Sequence, residues 1–373
     1  MRYLRLINLG RLSGSAGDAE WERVPRFPKR LRPPFLAFVL ASLMLGGRAA
    51  GATFTVTSTN DSGAGSLRQA MLDANAAAGT DTIAFNVAGA GPHTINLLSA
   101  LPNVTEAVII DGRSEPDFAG TPVIELNGSG AGAANGLRLA AGSDASTVCG
   151  LVINRFSDNG IVIESGGNTV VGNYIGTDVA GLADQGNAND AVVIINTANN
   201  TIGGTATVDR NLLSGNGLGV RIGGSNASGN KIIGNYIGAD ANGNATLGNT
   251  LYGVFISRFA GTVTGEPHDN QIGGTVTGEG NLIVANAWDG VGVYNHASIV
   301  GNSILGNRIY GNTELGTDLN ANGVSANDAG DADTGGNGLQ NFPVLTGAGT
   351  DGARIAIAGT LNSTGTRAYT LDA

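Results

Sequence analysis

Asp328, Asp331 and Asp333 fall within six residues of one another, in Asn327-Asp-Ala-Gly-Asp-Ala-Asp-Thr-Gly-Gly-Asn337. Carboxylates spaced like this are how a loop supplies oxygen ligands to a hard cation, which wants six to eight of them at about 2.3–2.6 Å. Gly330, Gly335 and Gly336 let the chain curl so that these oxygens converge. With Asn337 as a further ligand, the segment is a candidate Ca²⁺ site near the end of the chain. The match to an EF-hand loop is incomplete, because Gly335 stands where a ligand is expected and no glutamate closes the loop. A solvated acidic turn is the competing reading.

A second candidate lies in a repeat. Asn173-Tyr-Ile-Gly-Thr-Asp178 returns sixty-two residues later as Asn235-Tyr-Ile-Gly-Ala-Asp240. If the copies stack, Asp178 and Asp240 form a vertical carboxylate row able to hold a cation or a sugar. Tyr174 and Tyr236 then form an aromatic row on which sugar rings could stack. The plainer reading makes the aspartates turn caps and packs the tyrosines beneath neighbouring loops.

The remaining reactive side chains are scattered. His93, His268 and His296 share no motif and read as loop or corner residues. Cys149 is the only cysteine, so no disulfide can form within the chain, and its apolar surroundings predict an inert buried thiol. No catalytic residue is assigned.

What must position these groups is an array of short repeats. A strand of the form small-[VI]-x-[VI] occurs at Gly160–Ile163, Ala191–Ile194, Gly219–Ile222, Gly253–Ile256 and Gly290–Val293. After each comes a second motif, at Asn168–Asn173, Asn200–Gly204, Asn230–Asn235, Asn270–Gly274 and Ser298–Asn302. The spacing of the first motif, 28 to 37 residues, is that of a solenoid. Alternating Val/Ile turns one face of each strand inward, and stacked coils bury that face continuously. Gly and Asn between the strands supply corners, and Asn at equivalent corners can form amide ladders. The polar inserts Val179–Asp190 and Ala241–Leu251 should loop out on one side. The fold class this predicts is all-β: a right-handed parallel β-helix of nine to twelve turns. A β-propeller would need longer hairpin strands and more than the 5% aromatics present.

Composition agrees. Gly accounts for 61 of 373 residues and charged residues for 13%, yet 42% of the chain is hydrophobic, too much for a disordered chain. Residues 53–373 carry a net charge of −16, with Lys231 their only lysine. A surface this acidic repels phosphate backbones, which argues against nucleic acid and leaves cations and neutral glycans as better partners.

The ends differ from the middle. Ser66–Gly79 reads as a short capping helix, with Ser66 and Gln69 as a capping box and Leu67, Ala70, Met71 and Ala74 on one apolar face. Arg354–Ala358 and Arg367–Leu371 alternate like a hairpin, after which the chain stops, as a fragment would. At the other end, basic Arg26–Arg32, apolar Phe35–Leu45 and Ala50-Gly51-Ala52 read as a secretory signal cleaved after Ala52, with translation starting near Val24. Eleven apolar residues are too few to span a bilayer. The expected organisation is a leader over 1–52, a β-helix over 53–345 with its cap in 53–80, and a β extension over 346–373.

Thr57-Ser-Thr-Asn-Asp-Ser-Gly-Ala-Gly-Ser-Leu-Arg-Gln-Ala70, followed by Asp73-Ala-Asn75, resembles the opening of CSLREA-domain proteins. These are exported bacterial β-helices of the pectin-lyase-like superfamily. The Asn-x-Ile-Gly-Gly and Gly-Asn-Tyr-Ile-Gly-Thr-Asp repeats look like that family's rungs, and Asp331–Leu345 is similar to its closing segment. The cysteine of the family name is absent, with Gly65 before Ser66. The resemblance spans roughly residues 53–370. It implies a secreted or cell-surface location and brings no established chemistry.

Many proteins of that superfamily cut acidic polysaccharides, which sets the alternative. A polygalacturonase-like site would show Asn-Thr-Asp, Asp-Asp, Gly-His-Gly and Arg-Ile-Lys, and none occurs. The expectation is an exported, non-catalytic scaffold that binds polysaccharide or cell-surface glycan. The alternative is a polysaccharide lyase or glycoside hydrolase.

Overall fold

The computed structural model describes residues 50–259 and 266–363. The chain divides into two units, Met1–Gly47 and Arg48–Ala373, and all described residues belong to the second. The expected leader lies almost wholly outside the described residues, as does the strand expected at Arg367–Leu371.

The described residues coil through three parallel sheets of nine, eight and seven strands. One coil shows the plan. Thr169–Val171 lies in the first sheet, Tyr174–Ile175 in the second and Asp190–Ile195 in the third, and Thr201–Ile202 returns to the first beside Thr169–Val171. This is a parallel β-helix, right-handed as parallel crossovers are. Its first sheet counts nine rungs, the lower end of the expected range. No helix of the described residues is long and apolar enough to cross a membrane.

The inward columns are those that the alternation predicts. In the third sheet Ile161, Val192, Val220, Val254 and Val291 stand in register, one per coil. All five are fully buried in one core that runs the length of the coil. Each such side chain contributes roughly 1.5–3 kcal/mol by leaving water. The outward column is drier than alternation predicts. Val162 and Val193 are buried as well, in register between Arg138 and Arg221, whose long stems can cover apolar surface.

Asparagine builds all three corners. Asn168, Asn200, Asn230, Asn270 and Asn302 precede strands of the first sheet, each accepting at Oδ1 from the Asn one coil earlier where there is one. Asn173, Asn211, Asn235, Asn281 and Asn307 do the same before the second sheet. Asn187, Asn216, Asn249, Asn286 and Asn312 do so before the third. At Asn235 the backbone N–H and Nδ2 both donate to Asn281 Oδ1, at 2.9 and 3.0 Å, while Nδ2 also donates to the carbonyl of Ile202 at 2.8 Å. Asn is the side chain that serves here. It offers an acceptor and a donor at one short reach, where Asp lacks the donor and Gln is a methylene too long.

The ladders place the last repeat differently from the expectation. Ser303–Leu305 is the strand that pairs with Gln271–Gly273, so Asn302 opens its motif and the fifth copy is Asn302–Asn307 instead of Ser298–Asn302.

The N-terminal end is closed by the helix Leu67–Ala76, which buries Leu67, Ala70, Met71 and Ala74. Its capping box is half made. Ser66 Oγ accepts from the N–H of Gln69 at 3.2 Å, but the Gln69 side chain turns to Asp73. The helix ends at Ala77, two residues before Gly79. At the other end the last rung, Thr317–Asp318, opens into a cleft of about 820 Å³ against the segment carrying Leu319, Leu339 and Phe342. Beyond it, Ile355–Thr360 pairs antiparallel with Val344–Thr350, and the hairpin expected with Arg367–Leu371 lies outside the described residues.

Candidate functional site

The two rows expected from the repeats are built, but as turns. Tyr174 and Tyr236 occupy the same position of the second sheet with Leu212 in register between them, so they are two coils apart and do not stack. Each lies under its own insert. A Cβ on Gly181 would meet the Tyr174 ring at 2.9 Å, and Gly181, at φ +68, is tolerated there because it has none. Tyr236 carries the Arg210 guanidinium 4.0 Å from its ring centre. Asp178 accepts from the backbone N–H groups of Leu182 and Ala183. Asp240 accepts from the N–H groups of Asn242 and Asn244 and from the Asn244 side chain. Against the cost of burial, these bonds hold Asp240 below the usual carboxylate range. The inserts emerge at the same corner, and Ala241 N–H donates to the Gly181 carbonyl at 2.9 Å.

The acidic segment near the end does gather its carboxylates. Oxygens of Asp328, Asp331 and Asp333 lie within 4.8 Å of one another. Asp328 Oδ2 accepts from the N–H groups of Ala332 and Asp333, and Asp331 Oδ1 from that of Asn341. Asp328 Oδ1 and Asp333 Oδ1 are enclosed without a hydrogen-bond partner among the described residues. Burial, reinforced by the charges of Asp328 and Asp331, raises the Asp333 carboxyl. Asn337 is engaged with the coil. Its Oδ1 accepts from the N–H of Asn302 at 2.9 Å and its Nδ2 donates to the Asn302 carbonyl at 2.7 Å. It ends the first asparagine ladder, a role its sequence neighbours give no hint of.

A different cleft combines sugar-binding chemistry, and nothing in the sequence reading picked it out. The residues that lead into the third sheet on its last three rungs are Leu251-Tyr252-Gly253, Trp288-Asp289-Gly290 and Glu314-Leu315-Gly316, aligned by the pairing of Val254, Val291 and Thr317. They follow Asn249, Asn286 and Asn312 of the third ladder by a few residues, so the corner that sets the coil also sets the cleft. Its volume is about 250 Å³, and Ala321–Gly323 close its far side.

The aromatic side is rigid. Tyr252 stacks on Phe255 with ring centres 4.3 Å apart, and Trp288 meets Tyr252 edge-on at 5.0 Å. This needs a glycine at position 292, where a Cβ would come within 2.6 Å of the Tyr252 ring and 3.1 Å of Phe255. Tyr252 is buried, while Trp288 is 45% exposed.

The acidic side is Asp289, Glu314 and Asp318. Asp289 is buried and accepts from the Leu315 N–H at 2.8 Å, and Asp318 accepts from the N–H groups of Asn320 and Gly323 at 2.9 and 2.6 Å. None of the three forms an ion pair among the described residues. Burial pushes the Asp289 carboxyl up, and the charges of Asp318 and Glu314 push it further, against the Leu315 N–H. The Tyr252 hydroxyl rises to about 12, through burial and then the charges of Asp289 and Asp318. Such a surface offers an aromatic face to the C–H side of a sugar ring and carboxylate acceptors to its hydroxyls.

The other reactive groups are accounted for locally. The Cys149 thiol is buried against Asp111 Oδ1 at 3.2 Å and raised to about 12 by burial first and that carboxylate second. His268 pairs with Asp269 at 2.8 Å, and His296 Nδ1 lies 3.8 Å from Glu266. His93 is no loop residue. It opens the first strand of the second sheet, His93–Asn96, and is buried.

The chain matches no protein-family profile and no curated protein. Among solved structures it is similar to the Dettilon tailspike protein (gp208), at 11% identity and a TM-score of 0.33. The alignment covers 73% of this chain and 60% of that one, so the chain spans less than two thirds of the tailspike's length. A likeness this distant carries no functional weight.

Proposed function

We propose that the protein is an exported β-helix scaffold that binds neutral glycans in the cleft formed by Tyr252, Trp288, Asp289, Glu314 and Asp318. The observation that carries this reading is the half-exposed Trp288, held edge-on against the buried Tyr252, itself stacked on Phe255, beside three carboxylates with no cationic partner among the described residues. An immobilised, rigid aromatic loses little entropy on binding. The same carboxylates favour neutral sugars, since an acidic polysaccharide would meet like charge in the cleft. The basic, apolar and small-residue succession over Arg26–Ala52 and the resemblance to CSLREA-domain proteins support secretion or display on a cell surface. Ca²⁺ at Asp328, Asp331 and Asp333 belongs to the same proposal, as a clasp on the C-terminal end. A glycan array with the full chain tests the binding, and neutral oligosaccharides should be retained. Retention of acidic glycans alone would contradict the reading.

One observation favours a catalytic alternative. Asp289, Glu314 and Asp318 line one cleft and burial raises the Asp289 carboxyl, while glycoside hydrolysis uses a pair of carboxyl groups held in different surroundings. New reducing ends from a bound oligosaccharide, lost in Asp289→Asn, would establish hydrolysis. Their absence with binding intact leaves the scaffold.

A further inference from the structure

His93 Nε2 is enclosed by protein and has no hydrogen-bond partner among the described residues, although the side chain is only 7% exposed. A ring nitrogen hidden this way is costly unless something binds it. Two carboxylates face it. Glu115 Oε1 and Asp117 Oδ2 each lie 3.7 Å from Nε2, too far for a hydrogen bond. One ligand atom from each residue lies within 4.8 Å of the other two. Atoms sharing one ion at about 2.0–2.2 Å stand about 3.3–3.8 Å apart, and the two 3.7 Å distances from Nε2 to the carboxylates fall in that range.

The carboxylates are fixed from outside the triad. Glu115 Oε2 accepts from the Val87 N–H at 3.0 Å, and Asp117 Oδ2 accepts from the Gly91 N–H at 2.7 Å. Such bonds orient ligands before the ion arrives. Both carboxylates reach across from the segment after the strand Val108–Asp111 to the loop that leads into His93. Neither pairs with a Lys or Arg among the described residues. The Asp117 side chain is 41% exposed, which gives the site a mouth to solvent, while Glu115 is buried.

We propose that His93, Glu115 and Asp117 bind a divalent transition ion of the Zn²⁺ class, joining the first coils of the helix. The imidazole selects against Ca²⁺ and Mg²⁺, which take oxygen ligands. Three protein ligands leave at least one position open, on the Asp117 side. The site is separate from the Asp328–Asp333 loop and does not depend on glycan binding.

The test uses the full chain, stripped with a chelator and titrated with Zn²⁺ by calorimetry, with Co²⁺ as a spectroscopic stand-in. Zn²⁺ should saturate one His93-dependent site per chain and raise the melting temperature. Co²⁺ should give the visible absorption of a four- or five-coordinate site with a nitrogen ligand. His93→Gln should abolish that spectrum, and Asp117→Asn should weaken Zn²⁺ at least about tenfold. Asp117 is the decisive position if His93→Gln fails to fold, because its side chain is half in water. Asp331→Ala with Asp333→Ala should leave this site unchanged. No saturable Zn²⁺ in the wild type, or equal affinity in a folded Asp117→Asn chain, would overturn the proposal.

Discussion

Arg221 donates to Asp190 across adjacent rungs, Nη2 to Oδ1 at 3.1 Å, and this pair makes an outward-pointing residue structurally necessary. Alternation alone marks Arg221 as a solvent-facing position where Arg221→Asp should be nearly silent. The structure overturns that. Asp190 is buried, so the substitution would remove its partner and set a second carboxylate beside it. Because Arg221 is 30% exposed, the cost should be roughly 2–3 kcal/mol at neutral pH, below that of a fully buried pair. Urea denaturation of wild type and variant measures it.

The same pair fixes a pH dependence. Burial raises Asp190 to about 6 despite Arg221. A carboxyl whose folded pKa lies above its unfolded value binds more protons when folded, so its contribution favours the folded state at low pH. That contribution is lost as pH rises from about 4 to about 6. Asp190→Asn should flatten the stability profile across that window, as followed by thermal melts at a series of pH values. An unchanged slope would show that Asp190 does not titrate there.

Asn235 tests the corners. In Asn235→Ala the buried backbone N–H of Asn211 loses its acceptor, while Asn211 Nδ2 keeps the Val170 carbonyl and the Ile202 carbonyl keeps the Ile233 N–H. At about 1–3 kcal/mol for the orphaned group, with the other lost bonds added, the loss should reach roughly 2–4 kcal/mol. Asn235→Asp should rescue little of it, because it restores the acceptor but sets a carboxylate oxygen against Asn281 Oδ1, where Nδ2 donated.

How much of this was legible follows from what repeats. The inward Val/Ile columns and the asparagine corners recur every coil, so Ile161, Val192, Val220, Val254 and Val291 declared themselves by spacing. The capping helix showed its buried face at Leu67, Ala70, Met71 and Ala74. The sites do not recur. Tyr252, Trp288 and Asp289 are single departures at positions held by other residues elsewhere in the column, and only the register of Val254, Val291 and Thr317 brings them together. His93 meets Glu115 and Asp117 one coil away, at a separation no linear motif encodes. Asp178 and Asp240 did repeat, and each caps the turn of its own insert.

The Ca²⁺ proposal predicts a concentration-dependent gain in melting temperature, since a ligand at a hundred times its Kd adds about 2.7 kcal/mol. Asp331→Ala with Asp333→Ala should erase the gain. An equal gain in the double variant would move the cation to another site, and no gain in wild type would leave an ordinary acidic turn.

The central claim concerns the cleft, and Trp288 decides it. The measurement is calorimetric titration of wild type and Trp288→Ala with a neutral oligosaccharide retained on the array. Trp288 is half exposed at the edge of the stack, so its removal should leave the melting temperature within a few degrees of wild type. Affinity should fall at least about tenfold, the loss of one aromatic platform worth about 1.4 kcal/mol or more. A folded Trp288→Ala chain that binds the sugar as tightly as wild type would contradict the account.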